Sequence, residues 1–267
     1  MNASPPGVVV VGHGTAAAQG LEETRRLTRL VAERLPGAAV ELGFLELAAP
    51  SIAVAVDRLA GRGCRDIVAA PLLLFRAGHA RRDVPEALAA AAAVHGLAVR
   101  QAEPLGGHPA IVALARRRLA EATAGRPPVA ATRLVFLGRG ASDPRAVCQL
   151  CRVALAATAG RPEPLHLGFA AAARPTLDEA LDEAAAADAG RIIVQPHLLF
   201  AGHVEGQVEA AVGRGRAARP DVEWLRAARL GPDPLVAEAV VARLLEAAPE
   251  LRNAVSAAAN HTSPRPG

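Results

Sequence analysis

Apolar residues occur along the chain in short unbroken runs rather than in alternation. Val8-Val9-Val10-Val11 is the clearest, and Ile67-Val68-Ala69-Ala70 and Ile192-Ile193-Val194 repeat it. A strand that is apolar at successive positions is buried on both faces, which is the pattern of a parallel sheet covered by helices on each side. The runs predict strands at 8–12, 39–45, 66–73 and 98–102, with helical periodicity at 17–35, 51–60, 80–94 and 110–122. Further strands are predicted at 133–137, 165–169, 191–198 and 222–226, each followed by an Ala-rich helical stretch. Alternating strands and helices of this kind give doubly wound α/β domains.

The same blocks occur twice in the same order. Val11-Gly12-His13-Gly14-Thr15 returns as Leu137-Gly138-Arg139-Gly140-Ala141, and Gly43-Phe44 with Pro50-Ser51 returns as Gly168-Phe169 with Pro175-Thr176. Pro71-Leu72-Leu73-Leu74-Phe75 with Gly78-His79 returns as Pro196-His197-Leu198-Leu199-Phe200 with Gly202-His203. Leu105-Gly106-Gly107-His108-Pro109 returns as Leu230-Gly231-Pro232-Asp233-Pro234. An almost constant offset over four blocks marks a tandem duplication of a whole domain, with a period too long for a solenoid. The expected organisation is an N-terminal domain at 1–124, a linker at 125–131 carrying Pro127-Pro128, a C-terminal domain at 132–249, and a disordered tail at 250–267.

Ligands of open parallel sheets collect at the carboxyl ends of the strands. His13 follows the first predicted strand, Glu46 the second, and His79 the third, where a helix is expected to begin. Two imidazoles and a carboxylate suit a borderline divalent cation such as cobalt, nickel, iron or zinc. Each has a plainer reading: His13 as a turn residue between two glycines, His79 as a solvated helix N-terminus, and Glu46 as a loop carboxylate. The duplication bears on the choice. Arg139 stands opposite His13 and Ala171 opposite Glu46, while His203 matches His79, so a task needed only once fits better than a structural role.

Composition narrows the partners. With 267 residues, 51% of them hydrophobic, the chain has enough apolar surface for one large or two modest cores. Aromatics are 2% with no Tyr, which argues against base stacking on nucleic acid. All 30 basic residues are arginine, whose fork suits carboxylates and phosphates, but the net charge is only +4 and no dense basic block occurs. Three cysteines are too few for a secreted disulfide framework, no apolar run reaches membrane length, and the start carries no cationic leader. The expectation is a soluble cytoplasmic protein with neither a nucleic-acid nor a membrane partner.

Val-Gly-His-Gly-Thr near the start, Gly-Phe-Leu-Glu, and Pro-Leu-Leu-Leu-Phe-Arg-Ala-Gly-His-Ala-Arg-Arg-Asp-Val-Pro together resemble the sirohydrochlorin chelatases, the CbiX/SirB class, in its long two-domain form. The resemblance implies two chelatase-like domains with a cleft between them, and insertion of Co²⁺ or Fe²⁺ into sirohydrochlorin on a route to cobalamin or sirohaem. It implies His13, Glu46 and His79 as metal ligands, with His13 and His79 also catalytic. The metal is then a substrate, and neither a nucleotide nor an iron–sulfur cluster is expected. Because the tetrapyrrole is a polycarboxylate, Arg76, Arg81, Arg82 and Arg139 are expected to bind it, and Asp83, one helical turn after His79, to orient that imidazole. The fused copies are expected to work as a monomer.

Other classes find less support. No Gly-x-Ser-x-Gly elbow and no Gly-x-x-x-x-Gly-Lys loop occurs, so acyl transfer and nucleotide hydrolysis lack their usual motifs. Cys148-Gln149-Leu150-Cys151 is a lone C-x-x-C on a predicted helix, where two buried thiols are the ordinary reading. A non-catalytic carrier of metal or tetrapyrrole with the same pocket remains the alternative. His197 is open to two readings, substrate contact or interior residue, and His203 is expected to be a relic of the duplication.

Overall fold

A computed structural model describes residues 5–75, 82–186 and 188–256. The first repeat contains β1 (Gly7–Gly12), α1 (Ala18–Ala32), β2 (Val40–Phe44), α2 (Ile52–Gly61), β3 (Asp66–Pro71), α3 (Val84–His95), β4 (Ala98–Gln101) and α4 (Pro109–Thr123). The second contains β5 (Thr132–Gly138), α5 (Pro144–Thr158), β6 (Leu165–Phe169), α6 (Leu177–Ala184), β7 (Arg191–Pro196), α7 (His203–Ala218), β8 (Glu223–Arg226) and α8 (Pro234–Ala247). A 3-10 turn, Pro249–Leu251, and α9 (Arg252–Ser256) follow. Two parallel sheets result, ordered β2-β1-β3-β4 and β6-β5-β7-β8. This is the doubly wound α/β class that the unbroken apolar runs predict.

The valine run shows why both faces must be covered. Successive side chains on a strand point to opposite faces. Val9 and Val11 pack with Ile52, Val56 and Leu59 of α2 and with Leu88 of α3. Val8 and Val10 are equally buried on the other side, the side of α1 and α8. In the second sheet Val135 and Leu137 meet Leu177, Leu181 and Val208, whereas Leu134 meets Leu119, Ile193 and Leu225. Helix starts are fixed locally. Ser51 accepts from the Val54 amide, and Thr176 and Glu179 form a reciprocal capping box. His108 and Asp233 each cap a helix whose first residue is proline. The repeated His-Pro and Asp-Pro blocks are thus helix starts.

The compact units are not the two repeats. One is Met1–Leu105 with Pro232–Gly267, and the other is Gly106–Gly231. Helix α4 closes the first repeat yet packs on β7 and α5, and α8 closes the second yet packs on α1 and β3. Arg118 of α4 donates to the carbonyls of Arg229 and Leu230 at 3.2 and 3.1 Å. In the other unit Arg100 donates to the Ala247 carbonyl at 3.2 Å and pairs with Glu250. The boundaries expected at 124 and 132 follow the repeat, whereas packing divides the chain after each fourth strand.

The tail expected to be disordered from residue 250 is ordered as far as 256. Leu251 and Ala254 are buried, and the Gly37 amide donates to the Ala254 carbonyl at 3.3 Å. Apolar residues at that spacing outweigh the polar residues between them. Among the described residues no helix is long and apolar enough to cross a membrane.

His197, directly after β7, is 1% exposed and lies 5.2 Å from the Phe136 ring, so it is interior. Burial pushes its imidazole down to about 3. The unfolded chain binds a proton there near an ordinary value of roughly 6.5, whereas the folded chain resists it. Because the folded value is the lower one, this stability is complete above that pH and is lost as pH falls toward the folded value, at up to about 1.4 kcal/mol per pH unit. Urea unfolding of wild type and His197→Leu between pH 7.5 and 5.0 is expected to show the steeper loss in wild type. Equal slopes would contradict the assignment.

Candidate functional site

The loops after β1 and β2 continue the parallel ladder beyond the strands. Gly12 pairs with Phe44 at the end of the register. Past it, the Leu45 amide donates to the Gly12 carbonyl at 2.9 Å and the Glu46 amide donates to the His13 carbonyl at 3.1 Å. The far end of the second loop is tied as well, because the Phe44 amide donates to the Pro50 carbonyl at 2.8 Å. His13 and Glu46 are therefore placed by sheet register rather than by a free loop.

Gly14 makes this approach possible. Its φ is +99°, and a Cβ built there would lie 1.8 Å from the Glu46 carbonyl oxygen. No side chain fits that gap, and the positive φ is one that L-residues rarely adopt. The residue after Glu46, Leu47, also has a left-handed backbone, with φ of 60°.

Within this frame His13 Nε2 lies 3.3 Å from Glu46 Oε1. The side chains are 30% and 51% exposed, and at such exposure an ion pair contributes only about 0–1 kcal/mol. Stability is a poor reason for the pair. The separation does suit two donors sharing one cation, since ligands about 2.0–2.1 Å from a tetrahedral ion stand about 3.3–3.4 Å apart. An imidazole nitrogen and a carboxylate oxygen, open to solvent on a frame tied by main-chain hydrogen bonds, are the donor types that a labile half-site for a divalent ion uses. Among the described residues no group of three or more His, Cys, Asp or Glu is arranged to hold a metal.

His79, Arg76 and Arg81 lie outside the described residues. Arg82 is exposed and Asp83 half-buried, both immediately before α3 on the carboxyl side of β3. Arg139 directly follows β5 in the other unit and is exposed. His203 opens α7 and is exposed. Cys148 is exposed and Cys151 half-buried, both free thiols. The expectation of two buried thiols therefore fails for Cys148, which sits on the outward side of α5.

The second copy has the same frame without the donors. The Ala170 amide donates to the Gly138 carbonyl at 3.0 Å and the Ala171 amide to the Arg139 carbonyl at 2.9 Å. Gly140 has φ of +81°, and a Cβ there would lie 2.0 Å from the Ala171 carbonyl oxygen. Ala172 has φ of 54°, matching Leu47. Gly14 and Leu47 were absent from the candidates drawn from sequence. The signal for Gly14 was its recurrence as Gly140 at the same turn; a leucine carries no mark of its backbone angle.

Gly14→Ala is expected to push the Glu46 loop away and part the two donors. Thermal unfolding and Co²⁺ binding by the purified variant check this. A drop in Tm with Co²⁺ affinity lowered at least ~10-fold is expected, since a loss of about 1.4 kcal/mol of binding already gives that factor. Unchanged Co²⁺ binding would contradict it.

Comparison with known proteins identifies the family. The CbiX family model matches residues 7–122 and again residues 133–247. The sirohydrochlorin ferrochelatase of Bacillus subtilis (strain 168) is 26% identical over 243 residues, 90% of this chain and 91% of its own length. The sirohydrochlorin cobaltochelatase of Priestia megaterium is 25% identical over 230 residues, 85% of this chain and 75% of its own. The solved structure of SirB from Bacillus subtilis with Fe³⁺ superposes with a TM-score of 0.81 at 25% identity, over 93% of this chain and 98% of that one. Since the family model covers both repeats and most of the length between residues 7 and 247, this chain belongs to the CbiX family.

Proposed function

We propose that this protein is a sirohydrochlorin chelatase that inserts Co²⁺ or Fe²⁺ into the macrocycle, for cobalamin or sirohaem synthesis. The carrying observation is the contact of His13 with Glu46 on a backbone frame that the second repeat reproduces without either donor. Relatives spanning nearly the whole chain carry the chelatase name for both metals. Here the cation is substrate, so it must be held by few ligands and released.

The reaction breaks two pyrrole N–H bonds, leaves both electron pairs on nitrogen, and forms bonds from the ring nitrogens to one M²⁺, with two protons released. In this proposal His13, Glu46 and His79 present the ion to one face of the ring. As the metal passes to the ring, each imidazole nitrogen that held it becomes free to accept a proton. Imidazole titrates near neutrality, at roughly 6.5 in water, so it serves as ligand and base in turn. Arg76, Arg81, Arg82 and Arg139 engage the peripheral carboxylates, and Asp83 orients His79. As part of the same proposal the protein works in the cytoplasm as a monomer, with no nucleic-acid or membrane partner.

An anaerobic absorbance assay with purified protein, sirohydrochlorin and Co²⁺ or Fe²⁺ tests the reading. His13→Ala and His79→Ala are each expected to lower the insertion rate at least ~10²-fold, the scale of a lost acid–base group. His203→Ala is expected to do much less. Binding of sirohydrochlorin without faster metallation would make the protein a carrier. A rate that depends on His203 and not on His13 would move the site to the other repeat.

A further inference from the structure

Leu47 combines three features that the fold does not require together. It is 71% exposed. Its backbone is left-handed, with φ of 60°, a conformation that costs L-residues roughly 1–2 kcal/mol. It directly follows Glu46, whose amide and carbonyl are both held against the His13–Gly14 turn. Exposed leucines are ordinary taken singly, so exposure alone decides nothing. The duplication supplies the control: Ala172 occupies the same backbone position at φ of 54°. The loop therefore needs the left-handed turn in both repeats, but a large apolar side chain occurs only in the repeat that carries His13 and Glu46.

We propose that Leu47 is a substrate-contact residue whose side chain packs on the flat face of the tetrapyrrole during metal transfer. This rests on the chelatase reading above. A cation held by His13 and Glu46 reaches the centre of a macrocycle only if the ring face comes down over those two groups. Ring periphery and ring face make different demands: carboxylates at the edge call for arginine, whereas the conjugated face, free of hydrogen-bonding groups except at its centre, calls for apolar contact. An exposed isobutyl group beside Glu46, on a loop tied at both ends, meets the second demand. Because the loop is tied, the contact also fixes the height and tilt of the ring above the metal, in the manner of a preorganised site.

The test uses the full-length protein. Leu47→Ala installs the residue that the other repeat already carries in this backbone, and Leu47→Met keeps apolar bulk. Three quantities are read: sirohydrochlorin affinity without metal by absorbance titration, Co²⁺ affinity without tetrapyrrole, and KM with kcat for insertion. Leu47→Ala is expected to weaken sirohydrochlorin affinity and raise KM by about 15- to 50-fold, the effect of losing roughly two to three buried methylene equivalents. Co²⁺ affinity should stay within about twofold, and Leu47→Met should stay near wild type. If wild type metallates sirohydrochlorin while Leu47→Ala keeps its affinity and KM, this inference alone is overturned. A wild type that neither binds nor metallates sirohydrochlorin overturns the chelatase reading and this inference with it.

Discussion

Two main-chain hydrogen bonds beyond the end of the β1–β2 pair hold the His13 turn against the Glu46 loop, and a glycine with no room for a Cβ lets them form. Everything proposed for the site depends on that close approach. Strand β1 is buried throughout and β2 is set against it by register, so the first residues past each strand inherit the precision of the sheet. The proposed labile metal half-site benefits from such support. Its few ligands cannot organise the protein themselves, so the surrounding backbone must hold them in advance.

Duplication separates frame from chemistry. The loops after β5 and β6 reproduce the hydrogen bonds, the glycine and the left-handed residue, yet carry Arg139 and Ala171 where the first repeat has an imidazole and a carboxylate. The frame is therefore a property of the fold, and the imidazole and carboxylate of the first repeat are an addition to it. Packing cuts across the repeats, because α4 and α8 each complete the sheet of the other repeat. The unit that carries His13 and Glu46 thus depends on residues near the end of the chain, down to Leu251 and Ala254.

Strands were legible because a parallel sheet covered on both sides leaves an unbroken apolar run, and Val8–Val11 admits little else. Their ends were less so. The third and seventh strands stop at Pro71 and Pro196 although the apolar stretch runs on; the Leu72 amide donates to the Val11 carbonyl at 2.8 Å and the His197 amide to the Leu137 carbonyl at 2.7 Å, and the ladders to β1 and β5 end there. Helix exchange left no sequence signal, since an amphipathic helix does not state which sheet it covers. The short helix at Arg252–Ser256 was read as tail because a few apolar residues among polar ones mark burial only when a partner such as Gly37 is known. His13 and Glu46 were legible as strand-end residues; the missing clearance at Gly14 and the left-handed backbone of Leu47 are not written in the residue types themselves.

Anaerobic titration of the full-length protein with Co²⁺, followed by the ligand-field absorption of the bound ion, tests the one-sided site most directly. One Co²⁺ per chain is predicted, with its spectrum lost in His13→Ala and retained in Arg139→Ala. Two ions per chain, or a spectrum indifferent to His13, would contradict a donor pair built in the first repeat alone.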